Sequence, residues 1–467
     1  TLGNATYLAI YVVFHIFLTL LLMLREGKEH WNMLERILLV GGGLVGGIML
    51  LLANVGGEGT ANAFGSTALL SRTGEMFGMP EGIVLNLLLL LPLAAVIALA
   101  FYRKSFLLTA LILVQGFILY HTATRGAILG IIGGVLLGAL LIALFDKAEP
   151  RRRKWAGAVV LGVLLFIGSF LLMRNTDFVR ESPVLSRFAS ISLSEATTKS
   201  RFLIWNMAFT GFKDNPVFGW GQENFNFVFN KYYSPEMYAQ EQWFDRTHNV
   251  VLDWLIAGGI LGLLAYLSLF AAGLYLLWFR TNLPFLERTL FTGMLAAYFF
   301  HNLFVFDNLV SYLIFFGVLA YIHHLSTEGK APFSVRELRT PAAILVPVVS
   351  VVLVGVLYVA NVRPILANAT LIQAISPHQA GPTENLEYFK KALAYDTVGT
   401  QEIREQLTQA ALTARSADIP FELKTQFFEL AITEQKKMAD EIPGDTRHWL
   451  FLGGLFNASG LYAEAIE

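Results

Sequence analysis

From Tyr7 into the 360s the chain is a succession of apolar runs broken by short polar stretches. A run of about twenty apolar residues crosses a bilayer as a helix, because in hydrocarbon every backbone N–H and C=O must be satisfied internally. The runs predict ten spans, at 5–24, 35–52, 83–101, 105–121, 125–145, 155–173, 249–279, 289–304, 309–323 and 342–360. The predicted class is an all-α, polytopic membrane protein. Basic residues fit the same count. Arg25, Lys28 and Arg36, then Arg103 and Lys104, then Lys147, Arg151, Arg152, Arg153 and Lys154 fall in one alternate set of connections, as do Arg280, Arg288, Lys330, Arg336 and Arg339. The other set of short connections holds only Arg72 and Arg125. Positive charge stays cytoplasmic, so strict alternation puts residues 174–248, and everything after Asn361, outside the cytoplasm.

The last hundred residues carry a different pattern. Trp449, Leu452, Gly453 and Phe456, followed by Gly460, Tyr462 and Ala465, have the spacing of a tetratricopeptide repeat, in which large residues on one helix fill gaps left by Gly and Ala on the next. The stretch 388–393 reads as the second helix of an earlier, degenerate unit. Two domains are therefore expected: a membrane domain over 1–360, with its long outer loop at 174–248, and an extracytoplasmic helical solenoid over 361–467. A repeat buries its face only against neighbours, so further repeats are expected beyond Glu467.

Composition narrows the chemistry. The chain is 55% hydrophobic and 15% charged, too little charge to cover a soluble globule of 467 residues. Net charge is −1, which argues against a nucleic-acid partner. With no cysteine, thiolate catalysis, disulfides and Cys-ligated metals are excluded. No HExxH motif, Walker A loop, G-x-S-x-G or strand-borne G-x-G-x-x-G occurs, so no metal, cofactor or nucleotide is expected. Glycines at 130, 133, 134 and 138 suit close helix packing in lipid.

Charged groups at a membrane rim are the functional candidates. Arg125 lies in a tight turn, Thr124-Arg125-Gly126-Ala127, where small neighbours leave its guanidinium open; its planar fork suits phosphate oxygens. In the long loop Phe202, Trp205 and Phe209 recur at helical spacing, which predicts an amphipathic interfacial helix with Arg201 near its start. The stretch 215–221 follows as a turn, where Gly219 and Gly221 permit close approach. His248, with Asn249 after it, opens the next span and is placed to take a proton from a hydroxyl arriving from solvent. Asp253, inside that span, is expected to pair with a neighbour.

At these residues the chain resembles the O-antigen ligase and O-antigen polymerase superfamily of bacterial envelope glycosyltransferases. Four stretches carry the resemblance in order: 71–80, with Arg72; Thr124-Arg125-Gly126-Ala127; Arg201 and Trp205 followed by Pro216, Gly219 and Gly221; and Thr247-His248-Asn249 followed by Leu252 and the glycines at 258, 259 and 262. Met79 and Glu81 stand where the family has asparagine. The family usually has about twelve spans, so two are expected ahead of Thr1. The resemblance implies transfer of a glycan from undecaprenyl diphosphate, at the outer face of the cytoplasmic membrane, to a glycan, lipid or protein acceptor. It implies His248 as base, Arg125 and Arg201 on the diphosphate, and Arg72, Trp205, Gly219, Gly221 and Asn249 as substrate contacts. It implies no metal and no nucleotide sugar. Two other readings stay open on the residues alone: a transporter, and an anchored scaffold whose repeat domain recruits a protein partner.

Overall fold

In the computed structural model the described residues are 4–25, 104–192, 195–238, 243–327 and 342–466, and among them all regular structure is helical. The contacts divide the chain into two compact units. The first comprises Thr1–Asn206, Asn215–Trp220 and Arg246–Lys330; the second comprises Met207–Asp214, Gly221–Asp245 and Ala331–Glu467. This division differs from a cut at 360, because parts of the long loop belong with the C-terminal helices.

The first unit is a bundle of apolar helices: α1 (Ala5–Arg25), α2 (Lys104–His121), α3 (Arg125–Phe145), α4 (Pro150–Met173), α9 (Val250–Phe279), α10 (Phe285–Asn302) and α11 (Leu309–Ser326). Between α4 and α9 lie the short α5 (Asp177–Arg180) and α6 (Leu185–Ala189), then α7 (Ala196–Phe212) and α8 (Phe225–Lys231), the last two reaching into the second unit. Phe14, Phe17, Phe291, Tyr298 and Phe315 fill the bundle core. α3 packs directly on α10, because its glycines meet backbone: a Cβ at Gly130 would lie 2.7 Å from the Ala297 carbonyl oxygen. Small residues at spacing four thus do what close helix contact in lipid requires. Gly133 faces away from this seam.

Six helical runs are long and apolar enough to cross a membrane: α1, α3, α4, α9, α11 and Ile344–Ile375. The protein is an integral membrane protein of the polytopic α-helical class. Spans expected at 35–52 and 83–101 fall outside the described residues. The expected spans at 105–121 and 289–304 are helices, α2 and α10, but neither is among the six. α10 gives up apolarity because it is enclosed by neighbours: Glu287, Thr289, His301 and Asn302 are all buried in it. Glu287, in its first turn, accepts from Arg25 Nε at 2.9 Å, so the C-terminus of α1 meets the N-terminus of α10. The opposite end of α10 brings His301 against Gly126 at the start of α3. Arg25 and the Arg125 turn therefore occupy opposite ends of this bundle.

In the second unit, α12 (Ala342–Leu357) continues through a π-turn at Tyr358–Val362 into α13 (Arg363–Ile375). Pro364 lacks an N–H, so the backbone just before it cannot keep its regular ladder, and the wider turn absorbs the loss. The helices α14 (Pro382–Leu393), α15 (Thr400–Ser416), α16 (Phe421–Glu441), α17 (Thr446–Ala458) and α18 (Tyr462–Ile466) follow, packed around Phe389, Leu407, Phe427 and Leu455. Arg404 on α15 bonds Glu434 at 3.0 Å and Glu441 at 2.6 Å on α16, which fixes the register of that pair.

Candidate active site

The turn at residues 122–124 between α2 and α3 puts Ala123 at φ +50 and starts α3 at Arg125. Gly126 next to it is hydrogen-only for a reason: a Cβ there would lie 3.2 Å from His301 Nδ1. His301 is buried behind this turn, and among the described residues neither ring nitrogen has a hydrogen-bond partner. The Arg125 guanidinium reaches across to the long loop. It donates from Nη1 and Nη2 to the two oxygens of Glu195, both at 2.9 Å, and from Nη2 to Ser190 Oγ at 3.1 Å. This is a two-point fork on a planar oxyanion.

Arg201 stands in the same electrostatic field. Its guanidinium is held below its ordinary value by burial and by the positive charge of Arg125, while Glu195 offsets part of this. The Glu195 carboxyl is held below the usual carboxylate range, first by its hydrogen bonds from Arg125. Glu195 is thus bonded by one guanidinium and lies in the field of the other. Arg125 and Arg201, 76 positions apart by number, are brought together.

His248 ends the long loop at the mouth of α9. It adopts φ +54, a left-handed conformation that a residue with a side chain rarely takes. Its Nδ1 lies 3.3 Å from the Arg246 carbonyl; with the proton on Nδ1 donating there, the lone pair is on Nε2. Its ring meets Phe306 edge to face at 5.3 Å, and the Arg246 guanidinium lies over the same ring at 5.4 Å. Asn249 is the N-cap of α9, accepting from the N–H groups of Val251 at 3.0 Å and Leu252 at 3.3 Å. Asp253 does find a partner: it accepts from both the N–H and the hydroxyl of Thr247.

The glycines of the 215–221 turn have a defined use. α9 is broken at Gly259, where φ is +62, and the turn inserts into the break. Trp220 N–H donates to Ile256 O at 2.6 Å, and Ile260 N–H donates to Pro216 O at 2.8 Å, so each segment satisfies the other's freed backbone groups. Gly219 approaches so closely that a Cβ would lie 2.6 Å from Gly259 N. Gly221, at φ +95, turns the chain out again. Arg72 lies outside the described residues.

Several residues at this end carried little sequence signal. Glu195 is a single acid in a polar loop. Asp307 accepts from Asn302 Nδ2 at 2.6 Å and from the Tyr298 hydroxyl, forming a buried polar knot beside Phe306. Among the described residues there is no group of His, Asp and Glu arranged to hold a metal ion.

The fold and this polar end define a membrane-embedded protein in which Arg125 is forked onto Glu195 with Arg201 in the same field. Residues 108–267 match the family model described as O-antigen ligase. The matched stretch contains Arg125, Arg201, Trp205, Gly219, Gly221, His248 and Asn249. It supports the O-antigen ligase superfamily, a glycosyltransferase-type chemistry, and glycan transfer in surface-polysaccharide synthesis. No curated protein and no solved structure matches the chain.

Proposed function

We propose that the protein transfers a glycan from an undecaprenyl-diphosphate-linked donor to an acceptor hydroxyl, at the outer face of the cytoplasmic membrane. The observation that carries this reading is the Arg125 fork closed on the Glu195 carboxylate with Arg201 in the same field. A site that takes a carboxylate with positive charge to spare suits a diphosphate, which carries more charge and more oxygens. His248 takes the proton of the acceptor hydroxyl. That oxygen attacks the anomeric carbon, the bond from carbon to the diphosphate oxygen breaks, and undecaprenyl diphosphate leaves with its charge stabilised by the two arginines. A single displacement inverts the anomeric centre. The step needs no metal and no nucleotide sugar. Residues 1–360 form the transferase domain and 361–467 a tetratricopeptide-like domain that recruits a protein partner or acceptor.

The test is reconstitution in vesicles with a lipid-diphosphate glycan and candidate acceptors, following release of undecaprenyl diphosphate. His248→Ala is expected to lose roughly 10²–10⁴ in rate. Arg125→Lys and Arg201→Lys keep charge but lose the fork, and a lost charged hydrogen bond of about 1.5–3 kcal/mol corresponds to a slowing of roughly ten- to a hundredfold. That loss is expected with every acceptor, since the defect lies in the donor site. Full activity of the lysine variants would remove the arginines from the diphosphate site. Solute uptake with no glycan transfer would replace the reading with a transporter.

A further inference from the structure

Three groups that the transfer reaction does not use converge on the residue before His248. The Trp205 indole N–H donates to the Thr247 carbonyl at 3.1 Å. Asp253 Oδ1 accepts from the Thr247 N–H at 2.8 Å and from its hydroxyl at 2.7 Å. The Asn249 N–H donates to Thr247 Oγ1 at 3.2 Å. Thr247 has no exposed surface. Its N–H, carbonyl and hydroxyl are all fixed, and this fixation stops one residue short of the strained His248 backbone. A left-handed histidine persists only when its surroundings over-determine it. Here the surroundings are these bonds and the cap that Asn249 places on α9.

Trp205 has a second consequence. It lies four residues after Arg201 on α7, so both side chains leave the same face of that helix. An indole that pins α7 to Thr247 also sets where Arg201 stands relative to His248.

We propose that Trp205, Thr247 and Asp253 are positioning residues that lock the base and the diphosphate-binding arginine into one frame. The inference rests on the reading of His248 and Arg201 given above. It reassigns Trp205 from a substrate contact to a tether. It also explains the spacing in this chain: Arg201 and Trp205 share a face, and Thr247 and Asp253 bracket the first turn of α9.

The experiment is steady-state kinetics of purified, reconstituted variants with the lipid-diphosphate donor. Trp205→Phe keeps an aromatic ring and removes the N–H; Thr247→Val keeps the shape and removes the hydroxyl. Each is expected to lower kcat about tenfold with donor KM changed less than about twofold, since a misplacement of about 1 Å can cost on the order of 10²-fold. Asp253→Asn retains an oxygen acceptor for Thr247 and is expected to keep most of kcat, whereas Asp253→Leu loses it. If Asp253→Leu does not fold, the two milder variants and Asp253→Asn still decide. Unchanged kcat in Trp205→Phe and Thr247→Val overturns the tether. So does a raised KM in Trp205→Phe with Thr247→Val silent, the pattern of a direct substrate contact. His248→Ala runs in parallel: if it stays active, the base assignment fails, and if it is dead while the tether variants are normal, only the tether fails.

Discussion

Arg125 holds in its fork a carboxylate that, under the proposed function, the donor must displace or share. Glu195 pairs with it at 2.9 Å through both oxygens, and the pair is only partly exposed. Glu195→Gln removes the competing charge and leaves one oxygen to accept. Donor KM is expected to fall by about three- to tenfold, the scale of a partly screened ion pair, with kcat held. Because hydrogen bonds from Arg125 depress the Glu195 pKa, the pair is fully formed above the ordinary carboxylate pKa and is lost only as pH falls through the depressed value. The effect of Glu195→Gln should therefore be equal at pH 6 and pH 8. A rise in KM would mean that Glu195 helps to hold the donor. The sequence made the two arginines legible, since each stands in a short motif with a charge that the membrane makes costly. Glu195 was not legible: its meaning comes only from lying opposite Arg125, a contact between distant segments.

The same difference recurs for whole elements. The six spans that the described helices support were readable because hydrophobicity accumulates over twenty residues. Interlocking was not. The glycines in 215–221 and those at 258, 259 and 262 read as two separate features, yet the turn and the break in α9 complete each other's hydrogen bonds. This gives a contrast between adjacent residues. At Gly259, φ is +62 and a Cβ would sit 2.7 Å from Phe218 N, against backbone that cannot move cheaply; at Gly258 nothing lies within 4 Å. Gly259→Ala is expected to destabilise the detergent-solubilised protein by about 2 kcal/mol or more. Gly258→Ala should stay within about 0.5 kcal/mol. Gly219→Ala should behave like Gly259→Ala. Thermal unfolding followed by tryptophan fluorescence checks all three, and equal tolerance at 258 and 259 would mean that the turn does not seat in the break.

At the scale of the molecule, the boundary near 360 is where hydrophobicity stops, but contacts gather the chain differently. Gly221–Asp245 belongs to one compact unit with the C-terminal helices. Within it the Arg447 guanidinium lies 4.1 Å above the Trp243 ring and donates to Glu405 at 2.7 Å. Asp445, which caps α17 by accepting from Arg447 N–H at 3.0 Å, also accepts from Asn226 Nδ2 at 3.1 Å. Composition cannot reveal such a joint, because an arginine and a tryptophan two hundred residues apart carry no local pattern. Arg447→Ala removes the cation from the indole and leaves Glu405 with only its hydrogen bond from Gln401. A desolvated cation–π contact is worth about 1–2 kcal/mol, so local opening of this segment should rise roughly tenfold. Hydrogen exchange on the full chain in detergent is expected to show faster exchange in 225–238 and in α17, with α1, α9 and α10 unchanged. If 225–238 keeps its protection in Arg447→Ala, the C-terminal helices do not order the loop.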